Sequence, residues 1–355
     1  MEEINGSTVA PKGLDELLKI VVTRGASDLH LQAGTPPMLR LRKHLVPLGT
    51  ELLSGSVIEA LVYPIMDDGQ KAVFKQHLDF DFSYSIKDLA RFRVNVYRQR
   101  GSIAATLRCI PLTIPDLDSL GLPAIVKRFT KLEKGFVLVT GPTGQGKSTT
   151  LAAMIDRINQ ERDVCTVTIE DPVEFLFRHR QGIVVQRELG EDTESFSHAL
   201  RAVLREDPDI ILVGELRDLE TIAAALTAAE TGHLVFGTLH TNSAAQSIDR
   251  IVDVFPAGQQ EQIRIQLANV LSAIVTQQLL PRRDGSGLVV ATEILVATPA
   301  VRNLIRGNKS YQLVSTMQTS GDLGMMTMEK CVKELVARGI VAADIALQAG
   351  INVEE

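Results

Sequence analysis

Residues 141–148 read Gly-Pro-Thr-Gly-Gln-Gly-Lys-Ser, and no other segment limits the possible folds as tightly. The pattern GxxxxGK[ST] works where a strand ends, the backbone turns around a phosphate chain, and a helix begins. Both flanks comply: apolar Phe136–Thr140 precedes the octet and a helix-capable run, Ser148–Gln160, follows it. Glycines let main-chain N–H groups converge on an anion where bulkier residues would obstruct them. The positive end of the following helix adds to that field. Gly141, Pro142, Thr143, Gly144, Gln145, Gly146, Lys147, Ser148 and Thr149 are therefore the expected nucleotide-binding set. Lys147 would bridge the β- and γ-phosphates of ATP, and the Ser148 hydroxyl would complete the shell of a Mg²⁺ ion.

The loop sits in a strand–helix alternation, the pattern of a parallel α/β sheet. Cys165–Ile169, Ile210–Val213 and Leu234–Thr238 read as further strands, with helices at Ser197–Arg205 and Leu219–Thr231. A helix-rich tail is expected after them, with Gly258–Leu280, Pro299–Gly307 and Met326–Arg338 as its segments. The first third reads differently, as a small α+β domain. Leu14, Leu17, Leu18, Val21 and Val22 share one helical face, and Asp28–Gln32 and Met38–Leu45 look like strands. A helical stretch over Ser56–His77 is interrupted near Pro64 and Gly69. Period-two alternation then marks strands around Phe80–Tyr84, Phe92–Val96 and Gly101–Ile110. With 355 residues, two domains are expected: 1–112, a linker at 113–122 within proline-rich Pro111–Pro123, and 123–355.

Hydrolysis needs a group to ready water. Asp209 and Glu215 stand at opposite ends of the apolar strand Ile210–Val213. Ligands bind at the carboxyl ends of parallel strands, so Glu215 is the candidate that shares the edge of the phosphate loop. It would also touch the Mg²⁺ through water. Glu170, Asp171 and Glu174 follow another strand at the same edge and suit contacts to that water shell. His233 and His240 flank the next strand. Their spacing fits no usual zinc pattern, leaving a γ-phosphate sensor or ordinary strand-end residues. Arginines cluster at positions 91, 93, 98, 100 and 108 and again at 201, 205 and 217. Solvated faces, phosphate clamps and nucleic-acid contacts are all open readings of such clusters.

Several classes are disfavoured. A formal charge of −6 and 4% aromatic residues without tryptophan argue against a dedicated nucleic-acid binder. Cys109, Cys165 and Cys331 are far apart and form no CxxC pair, which suits a reducing compartment. Met1–Ala10 lacks the basic and apolar regions of a secretory signal, and no apolar run reaches the length of a membrane span.

Taken together, GPTGQGKSTT, TIEDPVE, LREDPDIILVGELRD and TGHLVFGTLHT resemble, in order, the Walker A loop, Asp box, Walker B region and His box of the secretion ATPases of type II secretion and type IV pili. The similarity extends to RFRVNVYRQR and the linker. Gln145 stands where that family usually has serine. A short N-terminus, no tetracysteine module, and AVRNLIRGNK at Ala300–Lys309 are similar to its pilus-retraction branch, with Gly307 departing from an acidic position. Assembly and type II secretion ATPases, and a RecA-like nucleic-acid translocase, are the alternatives. The resemblance implies a PAS-like N-terminal domain, a RecA-like P-loop ATPase domain, and a homohexameric ring at the cytoplasmic face of the inner membrane. It further implies an inner-membrane pilus platform protein as partner, pilins as indirect partners, and no nucleic acid. It assigns Glu215 as catalytic glutamate, Glu174 as the Asp-box carboxylate, and His233 and His240 as His-box residues. Arg93, Arg108, Arg201 and Arg205 match positions that approach the nucleotide.

Overall fold

The computed structural model describes residues 13–41, 44–87, 89–110 and 113–352. Met1–Ala10 lie outside these, as do Arg42 and Lys43 of the expected strand Met38–Leu45 and Pro111 and Leu112 of the proline-rich segment Pro111–Pro123. Two compact units form. One runs through Thr113 and includes Glu174–Leu176; the other comprises Ile114–Val173 and everything from Phe177 on.

The first unit is an α+β, PAS-like arrangement. Its six strands are β1 (Asp28–Leu31), β2 (Met38–Leu41), β3 (His44–Pro47), β4 (Asp79–Ile86), β5 (Ala90–Gln99) and β6 (Ser102–Ile110). They pair antiparallel in the order β3-β2-β1-β6-β5-β4. The segment expected as one strand, Met38–Leu45, is thus two, which pair with each other. Helix Leu14–Thr23 buries Leu14, Leu17, Leu18 and Val21 at helical spacing. The expected break in Ser56–His77 falls at a 3₁₀ turn, Tyr63–Ile65, between helices Gly55–Val62 and Asp68–His77. Asp67 and Gln70 then start the second helix with a reciprocal capping box. On β5, Phe92, Val94 and Val96 are fully buried in one core with the helices, while the alternate residues Arg91, Arg93 and Asn95 belong to the other face.

The second unit is a RecA-like α/β layer structure. Its strands are β7 (Gly135–Thr140), β8 (Cys165–Glu170), β9 (Ile183–Glu188), β10 (Ile210–Val213), β11 (Leu234–Leu239), β12 (Leu271–Pro281) and β13 (Leu288–Val296). They lie in the order β13-β12-β7-β11-β10-β8-β9. All neighbours are parallel except β12 and β13. Alternate residues feed two cores, one on each face. Phe136, Leu138, Ile211, Val213, Val235 and Leu239 fill the first. Val137, Val139, Ile210, Leu212, Leu234 and Phe236 fill the second. Burial on both faces explains why these strands read as continuous apolar runs.

The tail departs from expectation. The helix expected over Gly258–Leu280 ends at Val270, and the chain continues directly as β12. β12 lies between β7 and β13 and buries Ala273, Ile274, Val275, Thr276 and Gln277 in succession, so no period of two survives to distinguish it from helix. Helices Pro299–Arg306 and Met328–Ala337 match the remaining expectations closely.

Candidate active site

β7 delivers the chain to the phosphate loop at a central position of the sheet. Gly141 has φ +138°, and a Cβ there would lie 2.4 Å from the main-chain oxygen of Gln277 in β12. Gly144 and Gly146 take φ +80° and +79°, and Gly146 hands over to helix Lys147–Glu161. These conformations are open to glycine at little cost. Lys147 is buried, and its ammonium donates to the carbonyls of Gly141 (2.7 Å) and Pro142 (3.0 Å). The cation is therefore held against the loop's own backbone. Pro142, Thr143 and Gly144 are exposed, while Ser148 and Thr149 are half-buried in the first helical turn. Gln145 has its own job: its Oε1 accepts from the Leu279 N–H at 2.5 Å, fastening the loop to β12.

The carboxyl ends of β10 and β11 complete the edge. Glu215 stands two residues beyond β10, and His240 directly follows β11. His240 Nε2 is 3.2 Å from Glu215 Oε1, and His240 Nδ1 is 3.3 Å from the Thr143 hydroxyl. The tautomer that satisfies both contacts carries its proton on Nε2 and accepts from Thr143. Arg217 donates to the other oxygen, Glu215 Oε2, at 2.7 Å, and its Nη1 lies 3.8 Å from Asp171. Thr143, His240, Glu215, Arg217 and Asp171 thus form one polar chain from the phosphate loop across three strand ends. Burial pushes the Glu215 carboxyl up, but the hydrogen bonds from Arg217 and His240 and the charge of Arg217 outweigh it. The group stays below the usual carboxylate range and is ionised at neutral pH.

The other expected residues fall in distinct places. Glu170 ends β8 and accepts from Thr168 (2.6 Å) and Gln186 (3.3 Å). Glu174 is exposed and belongs with the first unit, outside the linked set. His233 requires correction: it precedes β11, whereas His240 follows it, so six strand residues, about 20 Å, separate the two. Its Nδ1 contacts the Ala228 carbonyl (2.9 Å) and Thr231 (3.1 Å), which makes it a closing residue for helix Leu219–Glu230 at the edge away from the phosphate loop. Asp209 is also at that far edge, accepting from the Cys165 N–H at 2.8 Å. Arg201 and Arg205 are exposed, and Arg201 lies 3.8 Å from Glu220. Within the first unit Arg93 and Arg108 are direct cross-strand partners, each with a carboxylate: Asp81 at 3.4 Å and Asp28 at 2.8 Å. Those acids offset the repulsion of two facing cations. Arg217 is the residue that sequence underrates. Its place two residues after Glu215 is the available signal.

A P-loop on an interior strand of a mostly parallel sheet, with an ionised glutamate at the next strand end but one, defines a nucleotide-binding ATPase-type domain. The family model for type II/IV secretion system proteins matches residues 3–321, and the chain belongs to that family. It is 50% identical over 333 residues to the type IV pilus retraction ATPase PilT of Pseudomonas aeruginosa, covering 94% of this chain and 96% of that protein. It is 48% identical to a twitching motility protein of Neisseria gonorrhoeae, covering 90% and 85%. A crystal structure of the pilus retraction motor PilT with bound ADP superposes with a TM-score of 0.89 at 48% identity, covering 94% and 96%.

Proposed function

We propose that this chain is an ATP-hydrolysing motor subunit that powers type IV pilus retraction and hence twitching motility. One observation carries the reading: a carboxylate held ionised beside the phosphate loop, tied to that loop through Thr143 and His240. Amides of residues 143–147 would cradle the phosphates while Lys147 transfers its hydrogen bonds from loop carbonyls to the β- and γ-oxygens. Glu215 would orient and deprotonate the attacking water, with Arg217 fixing its second oxygen. The donors at this edge, the Ser148 hydroxyl and the Glu215 carboxylate, are hard oxygens that suit Mg²⁺. Bound there with the nucleotide, Mg²⁺ would offset the phosphate charge. Likeness to the retraction motors over nearly the whole chain supports retraction over the assembly and secretion alternatives.

Residues 1–112 are taken as the PAS-like domain, 113–122 as linker and 123–355 as the ATPase domain. A homohexamer acting on an inner-membrane platform protein, with pilins as indirect partners and no nucleic acid, follows from this reading. So does a cytoplasmic, membrane-peripheral location; among the described residues no helix is long and apolar enough to cross a membrane. Arg93, Arg108, Arg201, Arg205 and Glu174 are then candidates for contacts completed on nucleotide binding or in the ring. The test is ATP turnover with Mg²⁺ by the assembled protein and its Glu215→Gln variant. Turnover should fall about 10²–10⁴-fold with nucleotide binding retained. Near-normal turnover by the variant would remove Glu215 from its role.

A further inference from the structure

We propose that Glu293 is a positioning residue for His240, and that it joins the phosphate-binding edge to the helix Met328–Ala337. The proposal rests on the ATPase reading above. Glu293 lies in β13 and is 6% exposed, a buried acid that the proposed chemistry does not use. One cross-strand row connects it to the site: Leu239 pairs with Thr140, Thr140 with Thr276, and Thr276 with Glu293. The Thr140 and Thr276 hydroxyls are bonded at 2.9 Å along that row. This is the level at which β7 gives way to Gly141 and β11 to His240.

The carboxylate serves two helix starts. The Ala244 N–H donates to its Oε1 at 2.7 Å, and the Met328 N–H faces the same group. Each is the first residue of its helix, where the N–H has no intrahelical partner and the helix end is partly positive. A carboxylate suits both N–H groups, whereas an amide turned to accept from Ala244 presents its NH₂ on the side of Met328.

Ala244 is four residues from His240, and the intervening turn is stiff. Thr241 and Ser247 are joined at 2.6 Å, Asn242 N–H donates to Gln246 at 3.2 Å, and Ser243 accepts from the Gln246 N–H at 3.2 Å. The place of His240 is therefore set, through a rigid turn, by one buried acceptor on β13. On the other side Met326 exchanges two main-chain bonds with Ile294, and the Thr292 N–H donates to Cys331 Sγ at 3.3 Å. Helix Met328–Ala337 is thereby fixed to the strand that carries Glu293. Displacing either helix start pulls on the shared carboxylate.

The experiment is steady-state ATP hydrolysis by the full chain carrying Glu293→Gln, with active sites counted by bound nucleotide. We expect kcat per site to fall about tenfold or more, as misplaced catalytic groups do, with KM for ATP and binding stoichiometry unchanged. In a His240→Ala background the same substitution should lower kcat no further, because both changes act on one group. Unchanged kcat per site, a loss confined to stoichiometry, or full additivity with His240→Ala would each overturn the proposal. Should Glu293→Gln not fold, Glu293→Asp withdraws the charge by one methylene and should give the same pattern. An inactive wild type would sink the ATPase reading itself, and this proposal with it, before any variant is compared.

Discussion

Replacing Gly141 by alanine tests the geometry of the phosphate loop most directly, because two separate costs fall on one atom. The backbone sits at φ +138°, a region that L-residues occupy at about 1–3 kcal/mol. The new Cβ would also meet the Gln277 oxygen at 2.4 Å, with the Gln277 carbon at 3.4 Å and nitrogen at 3.5 Å. That neighbour is backbone in an interior strand, paired to β7 at the adjacent Thr140–Thr276 position, so it yields poorly. Overpacking of this kind costs about 1–3 kcal/mol. Together about 2–6 kcal/mol is at stake, or roughly 5–20 °C in Tm for a unit of this size. Relief that shifts the loop instead would displace its amides by a sizeable fraction of an ångström and weaken nucleotide binding tenfold or more, since donor geometry is steeply distance-dependent. Gly144→Ala is the control: φ is +80° and nothing lies within 4 Å of its Cβ. It should cost only the left-handed backbone penalty, about 1–2 kcal/mol. Thermal unfolding and titration calorimetry with ADP read both effects. If Gly141→Ala proves as mild as Gly144→Ala, the close approach of loop and β12 has no energetic meaning.

Arg217→Ala removes the leading influence that lowers the Glu215 carboxyl, leaving burial to raise it, so the acid limb of the kcat–pH profile should move to higher pH. The sign follows from linkage: the native value lies below the unfolded one, so Glu215 stabilises the fold above about pH 4.3 and loses that contribution as pH falls through the native value. An unmoved acid limb would show that Arg217 does not act on Glu215. His233→Ala should leave kcat per folded molecule near wild type, whereas His240→Ala should lower it at least about tenfold; equal losses would refute the separation of the two histidines by β11. Gln145→Ala should lower stability by about 1 kcal/mol, because the Leu279 N–H loses its acceptor, and chemical denaturation would read it.

How much of this was legible beforehand depended on the range of the forces involved. The phosphate loop could be read because strand, turn and helix are consecutive and each glycine's task is local. The parallel sheet was legible for the same reason, strand by strand. β12 was not, because it lies inside the sheet with a core on each face, Ile274 in one and Ala273 and Val275 in the other, and burial on two sides removes the alternation by which strands are recognised. The histidines show the same division. Sequence placed both beside β11, but which end of that strand meets the phosphate loop matters only once β11 lies parallel to β7. Chain direction then sends His240 to the loop and His233 to the far edge.

The sequence by itself determined that a phosphate loop would form after an apolar strand, and that Glu215 would share its side of a parallel sheet. It also carried the family likeness. Tertiary structure alone decided that Thr143, His240, Glu215, Arg217 and Asp171 would form one polar chain, and that Glu293 would face two helix starts. The physical reason is that hydrogen bonds and charge pairs act over about 3–4 Å, while most of these residues are separated by tens of positions along the chain. Only the stacking order of the strands brings them within that reach.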